Sequence, residues 1–125
     1  MPDMISNTSC LIILDNIGMI TVLKDLYGNI TITEEVLTEF GKELPEWIKI
    51  EKVFDQKCLR ILNSIVDTGE ASTLALGTEK DGSIMILDDL KARKLAKRLD
   101  MKFTGTIGIL MKASNLGILF TIDAV

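Results

Sequence analysis

Residues 82–99 read GSIMILDDLKARKLAKRL, and this stretch decides the fold. Ile84 to Leu87 is an unbroken apolar run bounded by Gly82 and Asp88, the pattern of a central strand buried on both faces. From Asp89 to Leu99 the period changes to a basic amphipathic helix with Leu90, Leu95, Ala96 and Leu99 inward. Downstream, Lys102 to Thr104 predicts a last short strand, and Gly105 turns into a helix from Thr106 to Leu116, stopped by Gly117.

The same alternation runs upstream. Gly69 and Glu70 open a helix with Ala71, Leu74 and Ala75, and Asp55 caps another with Leu59, Leu62 and Val66 on one face. Trp47 to Val53 alternates apolar and charged residues, as a half-exposed strand does. Thr33 is an N-cap followed by Glu34 and Glu35, acids that suit the positive end of a helix dipole. Ile30 to Ile32 is a brief strand. Met4 to Asn7 predicts the first strand, Ser9 the cap of a first helix with Leu11, Ile12 and Leu14, and Met19 to Tyr27 a second. Strands separated by helices make this an α/β chain with a mostly parallel sheet and helices on both faces. Ligands in such sheets bind beyond the carboxyl ends of the strands, here near Asn7, Asp88 and Thr104.

Composition narrows the chemistry. A chain of 125 residues fits one domain, and 47% apolar content with mean hydropathy of +0.31 supplies a core and predicts apolar surface hidden in an oligomer, most simply a homodimer. A charged fraction of 26% excludes a disordered chain. Net charge is −4 with no histidine, which removes Ser-His and Cys-His catalysis, imidazole-bound zinc and an overall basic nucleic-acid footprint. Carboxylates, hydroxyls and lysines remain. Cys10 and Cys58 match no metal or redox spacing, and Cys10 beside Leu11, Ile12 and Ile13 reads as a buried thiol. No segment is long enough to span a membrane and no basic leader opens the chain, so the expected location is the cytoplasm.

Several acids fall where a site is expected, each with a structural alternative. Asp88 ends the buried strand, as a ligand or merely as its terminus, with Asp89 capping the next helix. Glu70 opens a helix, where an acid also complements the dipole by a few tenths to about 1 kcal/mol. Glu35 and Glu39 share one helical face, as solvated acids often do. Gathered at one sheet edge, such groups would repel unless a cation joined them, and hard oxygens suit Mg²⁺ or Mn²⁺. Lys91, Arg93, Lys94, Lys97 and Arg98 form one basic segment, either a solvated face or a phosphate-steering surface. The turn Thr104 to Thr106 could aim backbone N–H groups at an anion, or simply cap its helix.

The succession SNTSCLI, TEEVLTEF, GEASTLAL, MILDDLKARKLA and FTGTIGIL resembles the PIN-domain superfamily, most closely its stand-alone prokaryotic branch of poorly characterised proteins. The resemblance covers nearly the whole chain and implies a PIN-like three-layer fold. It also implies a metal-dependent ribonuclease, many relatives being toxins with an antitoxin partner. By motif it places the metal set on Asn7, Glu39, Glu70 and Asp88, the last three also as catalytic acids. Thr8 and Ser9 match the hydroxyl pair after the first acid, and Glu35, Asp89 and Thr106 are supporting neighbours. Lys91, Arg93 and Lys94 are the candidate RNA contacts. Asn7 departs from the pattern, because it stands where an acid is expected. One unit charge at ~4 Å is worth ~4 kcal/mol at an effective dielectric of ~20, so losing it would lower metal affinity by roughly two or three decades. The competing expectation is therefore a PIN-like module that binds or assembles without cutting. A phosphate-sensing receiver-like domain is a weaker third, because the acidic pair follows a late strand. Family members usually continue into further helical sequence, so the expectation is that the end at Val125, after Phe120 and Ile122, lacks C-terminal helices.

Overall fold

The computed structural model describes residues 2–118; the expectation about Phe120, Ile122 and Val125 lies outside them. Among the described residues the order is β1 (Met4–Ser6), α1 (Thr8–Asn16), α2 (Thr21–Tyr27), β2 (Ile30–Thr33), α3 (Glu34–Phe40), β3 (Ile48–Glu51), α4 (Gln56–Asn63), α5 (Thr68–Glu79), β4 (Ile84–Ile86), α6 (Leu90–Arg98), β5 (Lys102–Thr104) and α7 (Thr106–Asn115). The strands form one sheet in the order β3-β2-β1-β4-β5, with every pairing parallel.

Strand alternation divides the core into two layers. Met4 and Ile86 face one side, where they join Leu11, Leu14, Val22, Leu23 and Ile109. Ile5, Met85 and Leu87 face the other, against Leu59, Leu62, Leu74, Ala92 and Ala96. A three-residue strand such as β4 thus feeds both cores, which is why its sequence carries no polar alternation. Among the described residues no helix is long and apolar enough to cross a membrane.

Three expectations are corrected by local geometry. The cap of α1 is Asn7, not Ser9: strand β1 stops at Ser6, and the Asn7 side chain accepts from the Cys10 N–H. Helix α5 begins at Thr68 with Asp67 as its cap, ahead of the expected opening at Gly69. Leu90 and Leu99 do not point inward; they are 67% and 44% exposed, and Ala92 and Ala96 take the buried positions of α6. Small alanines let α6 lie close to the sheet, leaving its longer terminal leucines outside.

Candidate functional site

The first strand lies in the middle of the sheet, with β2 on one flank and β4 on the other. The order in which strands are added therefore reverses between β1 and β4 while all of them stay parallel, the kind of crevice where open parallel sheets place ligands. Asn7 sits at that point. It is fully buried, its N–H donates to the Ile86 carbonyl at 3.1 Å, and its Oδ1 accepts from the Cys10 N–H at 3.1 Å. Its Nδ2 is buried without a hydrogen-bond partner.

One residue on, the Thr8 hydroxyl donates to Glu39 Oε1 at 2.5 Å, joining α1 to α3. Gly69 makes that approach possible, since a Cβ there would collide with the Glu39 carboxylate and lie 3.1 Å from Thr8 Oγ1. The next residue, Glu70, is only 7% exposed, and its N–H donates to Asp67 Oδ1 at 3.1 Å. Glu35, a half-buried acid on α3, has Oε1 buried without a partner. Thr8, Glu39 and Gly69, widely separated in the chain, thus meet beyond the end of β1, with Glu70 the residue next to Gly69.

The second group follows β4. Asp88 accepts twice from Thr106, through Oδ1 from the backbone N–H at 2.7 Å and through Oδ2 from the hydroxyl at 2.5 Å. Asp88 thus does the work of a cap for α7, whose own N-cap position is Gly105. A Cβ on Gly105 would stand 3.0 Å from Asp88 Oδ1 and 3.7 Å from Arg93 Nη2. Arg93 therefore turns toward the acids, with its guanidinium carbon 5.2 Å from the Phe103 ring centroid, whereas Lys91 and Lys94 are exposed. Burial pushes the Cys10 thiol up to about 11; Asp88 adds to the rise, while hydrogen bonds from Thr106 and Ser6 oppose it. The Cys10 thiol on α1 thus lies near the Asp88–Thr106 pair.

Sequence reasoning missed Asp67. Its pKa is raised by burial first and by the Asp89 carboxylate second, against a backbone hydrogen bond from Gly69. Asp89 itself caps α6, accepting from the Ala92 N–H at 3.0 Å. The signal for it is an acid two residues before the expected helix start at Gly69, in the position of an N-cap. Ser9 is the second residue of α1 and is half-buried.

A family model of PIN domains matches residues 3–125. The chain belongs to the PIN-domain family. No curated protein matches it. Membership points to nuclease-type function in general, and the all-parallel sheet agrees with a PIN-like fold.

PIN domains imply a divalent cation, which the residues here fit in donor chemistry. Glu39, Glu70 and Asp88 offer only hard oxygens, and Gly69 and Gly105 leave space for two of those carboxylates. Closure is another matter. Among the described residues no three His, Cys, Asp or Glu side chains come close enough together to hold an ion. Thr106 occupies both Asp88 oxygens and Thr8 one Glu39 oxygen. The oxygen of Asn7 serves α1, and the group it leaves free is an N–H donor, which does not bind a cation.

Proposed function

We propose that this PIN domain is a nuclease-type hydrolase of RNA phosphodiesters, with Glu39, Glu70 and Asp88 as the carboxylates that take up Mg²⁺ or Mn²⁺. The reading is supported by position: Asp88 follows β4, Thr8 just after β1 meets Glu39, and Glu70 follows Gly69, which lies against Glu39 and Thr8. A bound divalent cation would supply charge neutralisation at the phosphate and a more acidic water. The chain's own residues do the positioning. Thr8 orients Glu39, Thr106 fixes Asp88, and Gly69 lets Glu39 close on the start of α5. Asn7 holds the first turn of α1 in place and contributes no charge, so cation affinity is weak and millimolar ion is required for turnover. The same reading makes the protein a cytoplasmic homodimer that covers apolar side chains such as Ile12, Ile13 and Ile17. An antitoxin-like partner follows if it acts as a toxin.

A second reading, a PIN-like module that binds or assembles without cutting, is favoured by the unpartnered Nδ2 of Asn7 and the open acid set. Cleavage of single-stranded RNA separates the two. The hydrolase reading expects cutting in millimolar Mn²⁺ that is lost in EDTA, in Asp88→Asn and in Glu70→Gln. Absence of cutting by the wild-type chain across many RNAs in both metals would establish the module instead.

A further inference from the structure

Helix α6 carries Lys91, Arg93, Lys94, Lys97 and Arg98 on a chain whose net charge is −4. Among the described residues the ion pairs are Lys42–Asp15, Lys80–Asp3 and Lys80–Glu51, so no carboxylate pairs with α6. Arg93 turns inward over Phe103. Lys91, Lys94 and Arg98 recur at helical spacing and form one stripe. That stripe lines a pocket of about 420 Å³ together with Ser64, Ile65 and Leu95.

The position of this groove matters as much as its charge. Ser64 and Ile65 belong to the turn from α4 into α5, which ends at the cap Asp67. Asp67 lies near enough to Asp89 to feel its carboxylate, and Asp89 is the cap of α6. The groove therefore begins beside the acid edge and follows α6 away from it. At ~1.5 Å per residue, Arg98 lies roughly 10 Å along the helix from Lys91.

We propose that the α4–α6 groove is the track on which the backbone of single-stranded RNA lies as it leaves the carboxylate edge, with Lys91, Lys94 and Arg98 each meeting a phosphate. The inference rests on the hydrolase reading for where the strand comes from, and on the charge stripe for how it is held. Regularly spaced cations match a repeating phosphate. The exposed Ile65 and the partly buried Leu95 add apolar surface beside the cationic stripe.

The test is fluorescence anisotropy with a labelled oligouridylate and the full chain in EDTA, where binding is read without cleavage. Wild type is compared with Lys91→Gln, Lys94→Gln, Arg98→Gln, the triple variant, and Lys24→Gln on α2 as a control. Each substitution in the stripe is expected to make the salt slope shallower by about 0.7, as for single strands. From 50 to 200 mM salt, three such contacts amount to about a twentyfold change in affinity, which the triple variant loses and Lys24→Gln keeps. Polyglutamate of equal length is expected not to compete. An unchanged slope in the triple variant, or displacement of RNA by polyglutamate as effective as by unlabelled RNA, overturns the proposal, the latter in favour of an acidic protein partner. Cleavage in Mn²⁺, assayed separately, keeps the two readings distinct. Groove-dependent binding without cleavage by the wild type removes the hydrolase alone, and cleavage with groove-independent affinity removes the track alone.

Discussion

Asp88 accepts two hydrogen bonds from Thr106, one from its backbone N–H at 2.7 Å and one from its hydroxyl at 2.5 Å. The carboxylate at the end of β4 thus fastens the start of α7, so one side chain carries a structural and a proposed catalytic duty. Substitutions on the two partners separate them. Thr106→Val removes one hydrogen bond and is expected to cost about 1 kcal/mol in urea unfolding and to lower cleavage only in part, because the backbone N–H still holds Asp88 Oδ1. Asp88→Asn removes the charge, is expected to cost about 1–2 kcal/mol, and abolishes cleavage.

At an ordinary helical position Gly→Ala stabilises by about 1 kcal/mol. At Gly69 the sign reverses, because the new methyl meets the Glu39 carboxylate and the Thr8 hydroxyl. Gly69→Ala is expected to lose about 1–3 kcal/mol in chemical denaturation and to cleave poorly. A stabilised, active variant would show that Glu39 moves aside freely.

Asn7→Asp puts a carboxylate into a fully buried position. In EDTA it is expected to lower stability by about 1–3 kcal/mol. Millimolar Mn²⁺ then raises its melting temperature more than that of the wild type, the gain being about 1.4 kcal/mol when free ion is about ten times Kd. Equal responses in both proteins would show that position 7 does not face the ion.

Cys10 gives a pH prediction. Its thiol is raised from 9.0 to about 11 by burial above all, so below pH 9 it is neutral in both folded and unfolded chains and stability is full. As pH climbs from 9 toward 11 the unfolded thiol ionises while the folded one keeps its proton, and stability falls by up to about 1.4 kcal/mol per unit. Urea midpoints of wild type and Cys10→Ala across that window isolate the effect, since other titrating groups are common to both.

Much of the architecture was legible because burial on both faces leaves a signature: Ile84 to Leu87 had no room for a polar residue, and β4 feeds both cores. The place of Asp88 just past β4 follows from strand direction, whereas Glu39 and Glu70 lie in helices and come from the motif resemblance. What the sequence withheld depends on side-chain choices that compete within a few residues. Asn7 fits the strand pattern as its last residue, yet β1 ends at Ser6 and the Asn7 oxygen goes to the Cys10 N–H, a partner three residues ahead. Leu90 and Leu99 satisfied the helical period and still lie outside, because Ala92 and Ala96 set the distance between α6 and the sheet. Asp67 is hidden by Gly69, two residues after it.

Placing the first strand in the middle of the sheet also has a cost during synthesis. Met4 pairs with Ile84, eighty positions later in the chain (84 − 4 = 80). At about 5–20 residues per second, a nascent chain spends roughly 4–16 s with one side of β1 unpaired while the ribosome makes its neighbour. An open apolar strand edge is an aggregation hazard, so early chaperone engagement, and sensitivity to truncation before β4 emerges, come with this topology.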